Sequence, residues 1–185
     1  MAGAALETAV RQVCAVLGED VFSTSGEPME AVVGELLVSR GYRIALAESC
    51  TGGLVTSRLT DVAGSSRYVE RAVVVYANEA KVDLLGVPPA LIEAHGAVSE
   101  QVAVAMAAGV RARAAVDVGI GVTGIAGPGG GTPEKPVGTV AIAAVTGETT
   151  GARTFRFHGE REQVKFQASQ AALDMVRRML VSPLR

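Results

Sequence analysis

The sequence predicts a three-layer α/β/α domain with a mostly parallel sheet and one antiparallel strand. Helix-like and strand-like segments alternate through most of the 185 residues, which is typical of a parallel sheet covered by helices. The last two strand-like segments, 138–145 and 153–158, are separated by the short turn GETTG and therefore resemble a hairpin. The length fits one domain, which we assign to residues 27–185, preceded by a helix and connector at 1–26.

Each element has a local signal. Residues 5–17 and 28–39 place apolar side chains at helical spacing, and Pro28 and Gly41 suit the start and the end of the second helix. Ser99 is a plausible N-cap of a third long helix. The predicted helices after the first strand cover 51–62, 78–85, 99–114 and 160–180. The strands preceding the hairpin are predicted at 42–47, 72–76 and 116–122, and the apolar run at 72–76 favours a strand covered on both faces.

Composition excludes several classes of protein. Hydrophobic residues make up 49% of the chain, charged residues 19%, and the net charge is −2, as in a folded globular protein. The weak charge and 4% aromatic content argue against nucleic-acid binding. No apolar run approaches the roughly 20 residues needed to span a bilayer, and the start lacks the pattern of a signal peptide, so we expect a cytoplasmic protein.

Metal and cofactor chemistry is also not expected. The two cysteines and two histidines have no metal-ligand spacing, which predicts neither a zinc site nor a disulfide framework. The basic residues comprise 14 arginines and only three lysines, Lys81, Lys135 and Lys165, so each lysine deserves inspection.

Three unusual segments follow predicted strands: 48–53 (ESCTGG), 76–81 (YANEAK) and 123–131 (TGIAGPGGG). Active sites of such sheets gather in the loops after the carboxyl ends of the strands. If the three strands are neighbours, these loops line one cleft.

Ser49 is the candidate nucleophile of the first segment. The following Gly52 and Gly53 would let backbone N–H groups approach an oxyanion or a phosphate. The alternative is that Ser49, or equally Thr51, caps the next helix. Cys50 is a weaker candidate nucleophile, because a free cysteine is usually a buried small hydrophobe.

A nucleophilic serine needs a base, and the second segment offers Lys81 and Tyr76. A lysine can lose its proton when it is desolvated, whereas an arginine cannot. The alternatives are an exposed Lys81, a Tyr76 that belongs to the core, and an Asn78 that caps the helix carrying Lys81.

The third segment is neither a Walker motif nor a dinucleotide-binding fingerprint, but its amides could hold a phosphate. Arg161 begins the last helix, where a cation opposes the helix dipole, and this placement suggests anion binding. The residues alone thus point either to a serine-type acyl transferase or hydrolase acting on a small anionic substrate, or to a nucleotide-binding module.

The ordered set of motifs resembles the CinA C-terminal domain family, from about residue 27 to residue 180. The matching segments are AESCTGG (47–53), DVAGSS (61–66), VVVYANEAK (73–81), LLGV (84–87), HGAVSE (95–100), VTGIAGPGGG (122–131) and KPVGTV (135–140). The resemblance implies an α/β/α fold with a mixed five-stranded sheet. It also implies a nicotinamide-nucleotide amidase, which converts nicotinamide mononucleotide to nicotinic acid mononucleotide and ammonia in pyridine-nucleotide recycling, without a cofactor.

The resemblance also assigns roles to residues. The family's catalytic serine, tyrosine and lysine fall on Ser49, Tyr76 and Lys81. Amides around 50–53 would hold the oxyanion, and Lys81 would accept the serine proton directly or through Tyr76. The remaining expected substrate-binding residues are Cys50, Thr51, Gly52, Gly53, Asn78, Thr123, Gly124, Gly129, Gly130 and Arg161.

The chain departs from the family pattern at Arg71, Ala72, Ala77 and Lys165. Two other functions stay open, a non-catalytic nucleotide-binding regulator and an amidohydrolase of another pyridine or cyclic amide. Many family members carry a further N-terminal domain for which this chain is too short, so we expect residues 1–26 to correspond to the connecting segment. The expected partners are the small-molecule substrate and a second copy in a homodimer, since the alanine-rich helix 99–114 could pack on a partner or on its own sheet. Neither nucleic acid nor a membrane is expected to bind.

Overall fold

The computed structural model describes residues 2–181, so the last four residues of the predicted domain lie outside the described residues. The helices are α1 (Ala2–Leu17), α2 (Met29–Arg40), α3 (Leu54–Asp61), α4 (Asn78–Leu85), α5 (Pro89–His95), α6 (Glu100–Ala114) and α7 (Arg161–Val181). The strands are β1 (Ile44–Glu48), β2 (Val69–Val74), β3 (Val118–Gly124), β4 (Thr139–Val145) and β5 (Thr150–Arg156). Short 3-10 turns lie at Gly18–Asp20 and Ser65–Arg67.

The five strands form one sheet in the order β2-β1-β3-β4-β5. β1 lies between β2 and β3 and is parallel to both, whereas β4 is antiparallel to β3 and to β5. Only β4 therefore runs against the other four strands, which confirms the predicted mixed, mostly parallel sheet and its terminal hairpin.

Helices cover both faces of this sheet. α2, α3 and α7 pack on one face in a core that includes Ile44 and Leu46 of β1, and α4, α5 and α6 pack on the other with Ala45 and Ala47. This alternation is the two-residue period of a strand. The three-layer α/β/α prediction is confirmed.

Glycines set the distance between α6 and the sheet. A Cβ atom at Gly119 or Gly121 of β3 would lie 2.2 Å from the carbonyl oxygen of Ala107 or Ala103 of α6, respectively. Such contacts do not occur in folded proteins, so the helix can lie this close only where the strand lacks side chains. Val102, Met106 and Val110 of α6 are buried, and this apolar face of the helix packs on its own sheet.

The prediction that the apolar run at 72–76 is covered on both faces is wrong. β2 spans Val69–Val74 at the edge of the sheet, and half of Val74 is exposed, while Val75 just beyond it is fully buried. A continuous apolar run indicates burial but does not distinguish a central strand from an edge strand. Arg71 is exposed on this edge and pairs with Glu70, and Ala72 is exposed beside it.

Two of the local end signals of the helices, Gly41 and Ser99, are confirmed. Gly41 ends α2 in the left-handed conformation, and the Ser99 hydroxyl accepts a hydrogen bond from the N–H of Val102 at the start of α6. Asn78, by contrast, is the first residue of α4, whose N-cap is Ala77.

α1 contributes little to the core. Its apolar residues Leu6, Val13 and Val16 are each more than half exposed. No helix among residues 2–181 is long and apolar enough to cross a membrane.

Candidate active site

The three unusual segments meet at the end of the sheet where the carboxyl termini of β1, β2 and β3 lie side by side. Glu48 at the end of β1 is in register with Val74 of β2 and with Val122 of β3. The N–H of Ser49 donates to the Val122 carbonyl, and the N–H of Val75 donates to the Glu48 carbonyl. The strands before 48–53, 76–81 and 123–131 are therefore neighbours, as a common cleft requires.

Ser49 and Lys81 are in contact. Continued alternation along β1 places Ser49 on the side of Ala45 and Ala47, where α4 packs. The Nζ atom of Lys81 lies 3.5 Å from Oγ of Ser49, and the lysine side chain is 1% exposed. The alternative of an exposed Lys81 is therefore excluded.

The surroundings of Lys81 favour its neutral form. Desolvation lowers the pKa of Lys81, although weaker attraction from Cys50 and Glu79 raises it. Among the described residues, no carboxylate lies within ion-pairing distance of Nζ. Nζ donates to the carbonyl oxygens of Val75, Tyr76 and Ala77, at 3.1 to 3.4 Å. A neutral amine could still donate two of these bonds and direct its lone pair at the hydroxyl of Ser49.

Tyr76 contacts Lys81 through its backbone, not through its phenol. Its side chain is 60% exposed, and its hydroxyl accepts a hydrogen bond of 2.9 Å from Arg161 Nη2. The other terminal nitrogen of Arg161 donates to the carbonyl of Gly127. Arg161 thus connects the second and third segments. The phenol makes no hydrogen bond with Ser49 or Lys81, and Tyr76 is not a core residue.

The turn after β1 is held by Glu48, which sequence reasoning did not select. The buried carboxylate accepts hydrogen bonds from the N–H groups of Gly53, Val55 and Thr56 and from the Thr56 hydroxyl. The N–H of Gly52 donates to the Ser49 carbonyl. Neither Ser49 nor Thr51 caps α3, whose N-cap residue is Gly53.

The turn leaves two backbone donors available. The N–H groups of Cys50 and Thr51 donate to no carbonyl or side-chain oxygen among the described residues, although both interact with the Cys50 thiol, where burial raises the pKa and these N–H groups lower it slightly. They directly follow Ser49 and could bind an oxyanion, whereas those of Gly52 and Gly53 already donate to the Ser49 carbonyl and to Glu48.

Cys50 is a poor nucleophile. It is 5% exposed, and burial raises the pKa of its thiol to about 12, despite weaker effects from nearby hydrogen bonds and charges. The neighbouring Thr51 is fully buried, and its hydroxyl has no hydrogen-bond partner among the described residues.

The residues of the third segment fall into two groups, one held by contacts within the fold and one exposed on the surface. The Thr123 hydroxyl donates to the Ala97 carbonyl, and Gly124 lies so close to β4 that a Cβ would contact Val140 at 2.7 Å. The hydrogen bond to Ala97 accounts for Thr123, and close packing against β4 accounts for Gly124. Gly129 and Gly130 are exposed and leave their loop open to a ligand, and Asn78 is likewise exposed.

Lys165 is a second cation that sequence reasoning did not place in the site. It lies one helical turn after Arg161, is half-buried, and its Nζ lies 3.7 Å from the position that a Cβ of Gly52 would occupy. Its ammonium has no hydrogen-bond or ion-pair partner among the residues that the structure describes. The i, i+4 spacing from Arg161 was the available signal.

Two other observations limit the chemistry. Within residues 2–181, no group of three or more His, Cys, Asp or Glu side chains could hold a metal ion. A pocket at the opposite end of the sheet, lined by Arg40, Arg111, Asp117 and the turn 146–149, contains no nucleophile paired with a base. The arrangement suited to acyl transfer is that of Ser49 and Lys81.

Comparisons with known proteins agree with this fold. The profile of the CinA C-terminal domain matches residues 26–180. The chain is 51% identical over 167 residues to a CinA-like protein of Geotalea daltonii, covering 90% of this chain and 40% of that protein. It is 52% identical over 176 residues to a CinA-like protein of Syntrophobacter fumaroxidans, covering 95% and 42%. The chain thus spans about two-fifths of the length of these relatives.

Solved structures show the same similarity. The competence damage-inducible protein A of Klebsiella pneumoniae superposes with a TM-score of 0.81 at 35% identity, covering 84% of this chain and 97% of that one. The competence/damage inducible protein of Agrobacterium tumefaciens gives 0.78 at 36% identity, covering 84% and 98%. The chain belongs to the CinA C-terminal domain family.

Proposed function

We propose that this protein is an amidohydrolase that converts nicotinamide mononucleotide to nicotinic acid mononucleotide and ammonia. The observation that carries the proposal is the contact between Ser49 and the buried Lys81, whose depressed pKa suits a general base. The family membership is consistent with this activity.

The chemistry begins with an attack of Ser49 Oγ on the carboxamide carbon while Lys81 takes the hydroxyl proton. The oxyanion of the tetrahedral intermediate is stabilised by the N–H groups of Cys50 and Thr51. Lys81 then returns the proton to the leaving nitrogen, ammonia departs, and the acyl group remains as an ester on Ser49. Water, activated by Lys81, hydrolyses the ester and restores the serine.

The phosphate of the substrate is proposed to bind at the other end of the cleft. Arg161 and Lys165 supply two positive charges one helical turn apart, and Gly129 and Gly130 offer backbone donors in an exposed loop. The Glu48 carboxylate, adjacent to Ser49, is occupied by four hydrogen bonds and turned toward α3. An anionic substrate therefore fits better than a cationic one.

The direct test is incubation of the purified protein with nicotinamide mononucleotide, with ammonia and nicotinic acid mononucleotide measured together. Wild type should release both in equal amounts. Ser49→Ala should release neither, whereas Cys50→Ala, the matched control at the adjacent residue, should retain most activity. Binding of the nucleotide without ammonia release would overturn the enzymatic proposal and favour the regulator. Activity on another pyridine amide only would favour the other amidohydrolase.

A further inference from the structure

Glu48 is a fully buried carboxylate at the end of the central strand β1. Its oxygens accept four hydrogen bonds: from the N–H of Gly53 at 2.9 Å, of Val55 at 3.2 Å and of Thr56 at 2.9 Å, and from the Thr56 hydroxyl at 2.6 Å. Buried carboxylates are costly unless they are paired or saturated with donors. Here the N–H and O–H groups of Gly53, Val55 and Thr56 donate the hydrogen bonds that water would make to an exposed carboxylate.

The charge of Glu48 has no cation to balance it. No ion pair within 4.0 Å involves Glu48 among the described residues, so its compensation comes from hydrogen bonds and from the positive end of the α3 dipole. Glu48 is therefore not the counterion of Lys81. Its influence on the site is exerted through the backbone.

The two neighbours Glu48 and Ser49 act on opposite sides of the strand. Glu48 is directed toward α3, while Ser49 faces Lys81 of α4. The carboxylate fixes the far end of the turn at Gly53, and the pairing of Ser49 N–H with Val122 fixes its near end. Between these two anchors lie Ser49 Oγ and the N–H groups of Cys50 and Thr51.

We propose that Glu48 is the positioning residue of the nucleophile. Its carboxylate holds the 49–53 turn in the conformation that places Ser49 Oγ against Lys81 and the N–H groups of Cys50 and Thr51 next to it. The proposal rests on the proposed function for the role of Ser49, but not for the identity of the substrate.

The test uses Glu48→Gln, which keeps the size but presents an amide NH₂ to groups that are themselves donors. Thr56→Val removes one of the four bonds and keeps the shape. Thr60→Val is the matched control, because the Thr60 hydroxyl on the same helix bonds only to the carbonyls of Thr56 and Ser57.

The first readout is the rate at which a fluorophosphonate probe labels Ser49, measured with the thermal unfolding midpoint. We expect labelling of folded Glu48→Gln to slow by about tenfold to a hundredfold, the range that a misplaced reacting group produces. Labelling of Thr56→Val should slow by a few-fold, and labelling of Thr60→Val should match that of wild type. With nicotinamide mononucleotide, kcat should fall and KM should stay, and the midpoint of the rise in activity with pH should not move, because Glu48 does not contact Lys81.

Several results would overturn the proposal. One is labelling of folded Glu48→Gln at the wild-type rate. Another is a Glu48→Gln variant whose KM rises while its kcat stays unchanged. The third is a wild-type Ser49 that does not react with the probe. If Glu48→Gln fails to fold, the test is made with Thr56→Val. Labelling of Thr56→Val at the same rate as Thr60→Val would then contradict the proposal. If wild type reacts with the probe but releases no ammonia, the proposed function fails while slower labelling of Glu48→Gln still supports the positioning role.

Discussion

Lys81 Nζ lies 3.5 Å from Ser49 Oγ although 32 positions separate the two residues in the sequence. β1 delivers the serine and the helix after β2 delivers the lysine, because β1 and β2 are parallel neighbours whose carboxyl ends coincide. Ser49 and Lys81 are almost completely enclosed, and this burial lowers the pKa of the Lys81 amine.

The pH dependence should report the lowered pKa of Lys81. Activity should rise with pH as Lys81 loses its proton, with a midpoint below the ordinary value of 10.5. Lys81→Arg keeps a charge that cannot be removed in this range, so its activity should be lost at every pH. Substantial turnover by Lys81→Arg would contradict the assignment of the base.

The stability of the protein should also depend on pH through Lys81. Between the lowered folded pKa and the unfolded value near 10.5, the unfolded chain binds more protons at Lys81, so its contribution to the free energy of unfolding increases with pH. Because Met does not titrate, the free energy of unfolding of wild type should increase relative to that of Lys81→Met as pH rises through this window. Urea unfolding of both proteins at several pH values measures it, and a constant difference would contradict the prediction.

Tyr76→Phe separates direct proton transfer from a relay. The phenol bonds to Arg161 rather than to Ser49 or Lys81, so kcat should change by no more than about threefold, against the roughly hundredfold or greater loss typical of a missing general base. Steady-state kinetics of Tyr76→Phe beside Ser49→Ala makes the comparison. A loss close to that of Ser49→Ala would show that the relay operates.

Arg161 and Lys165 should determine the preference for a phosphorylated substrate. A charge-assisted hydrogen bond contributes about 1.5–3 kcal/mol, so Arg161→Gln or Lys165→Gln should raise KM for nicotinamide mononucleotide by about tenfold or more. KM for nicotinamide riboside, which lacks the phosphate, should change little. Arg71→Gln, exposed and paired with Glu70, is the control. Equal effects on both substrates would contradict a phosphate site.

Arg58 should contribute more to stability than the surface ion pairs. Its guanidinium donates to Glu30 of α2 and to Ser169 and Gln170 of α7, and it lies 5.1 Å from the centre of the Phe166 ring. Arg58→Ala leaves the largely buried Glu30 without its partner and should cost about 3 kcal/mol, whereas Arg71→Ala should cost less than about 1 kcal/mol. Similar unfolding free energies for the two variants in urea would be inconsistent with this difference.

The sequence by itself determined the order of helices and strands, the terminal hairpin, and the proximity of the three segments. These features follow from hydrophobic periodicity, from glycine and serine at helix ends, and from the rule that parallel strands end together. The tertiary structure alone placed β2 at the edge, assigned the Tyr76 phenol to Arg161, and identified Glu48 and Lys165. It also showed that the Thr123 hydroxyl bonds to the Ala97 carbonyl, that Gly124 packs closely against β4, and that Lys81 is buried. Three features depend on atoms from distant parts of the chain: the position of a strand in the sheet, the desolvation of a side chain, and its hydrogen-bond partners. Local periodicity of the sequence therefore does not predict them.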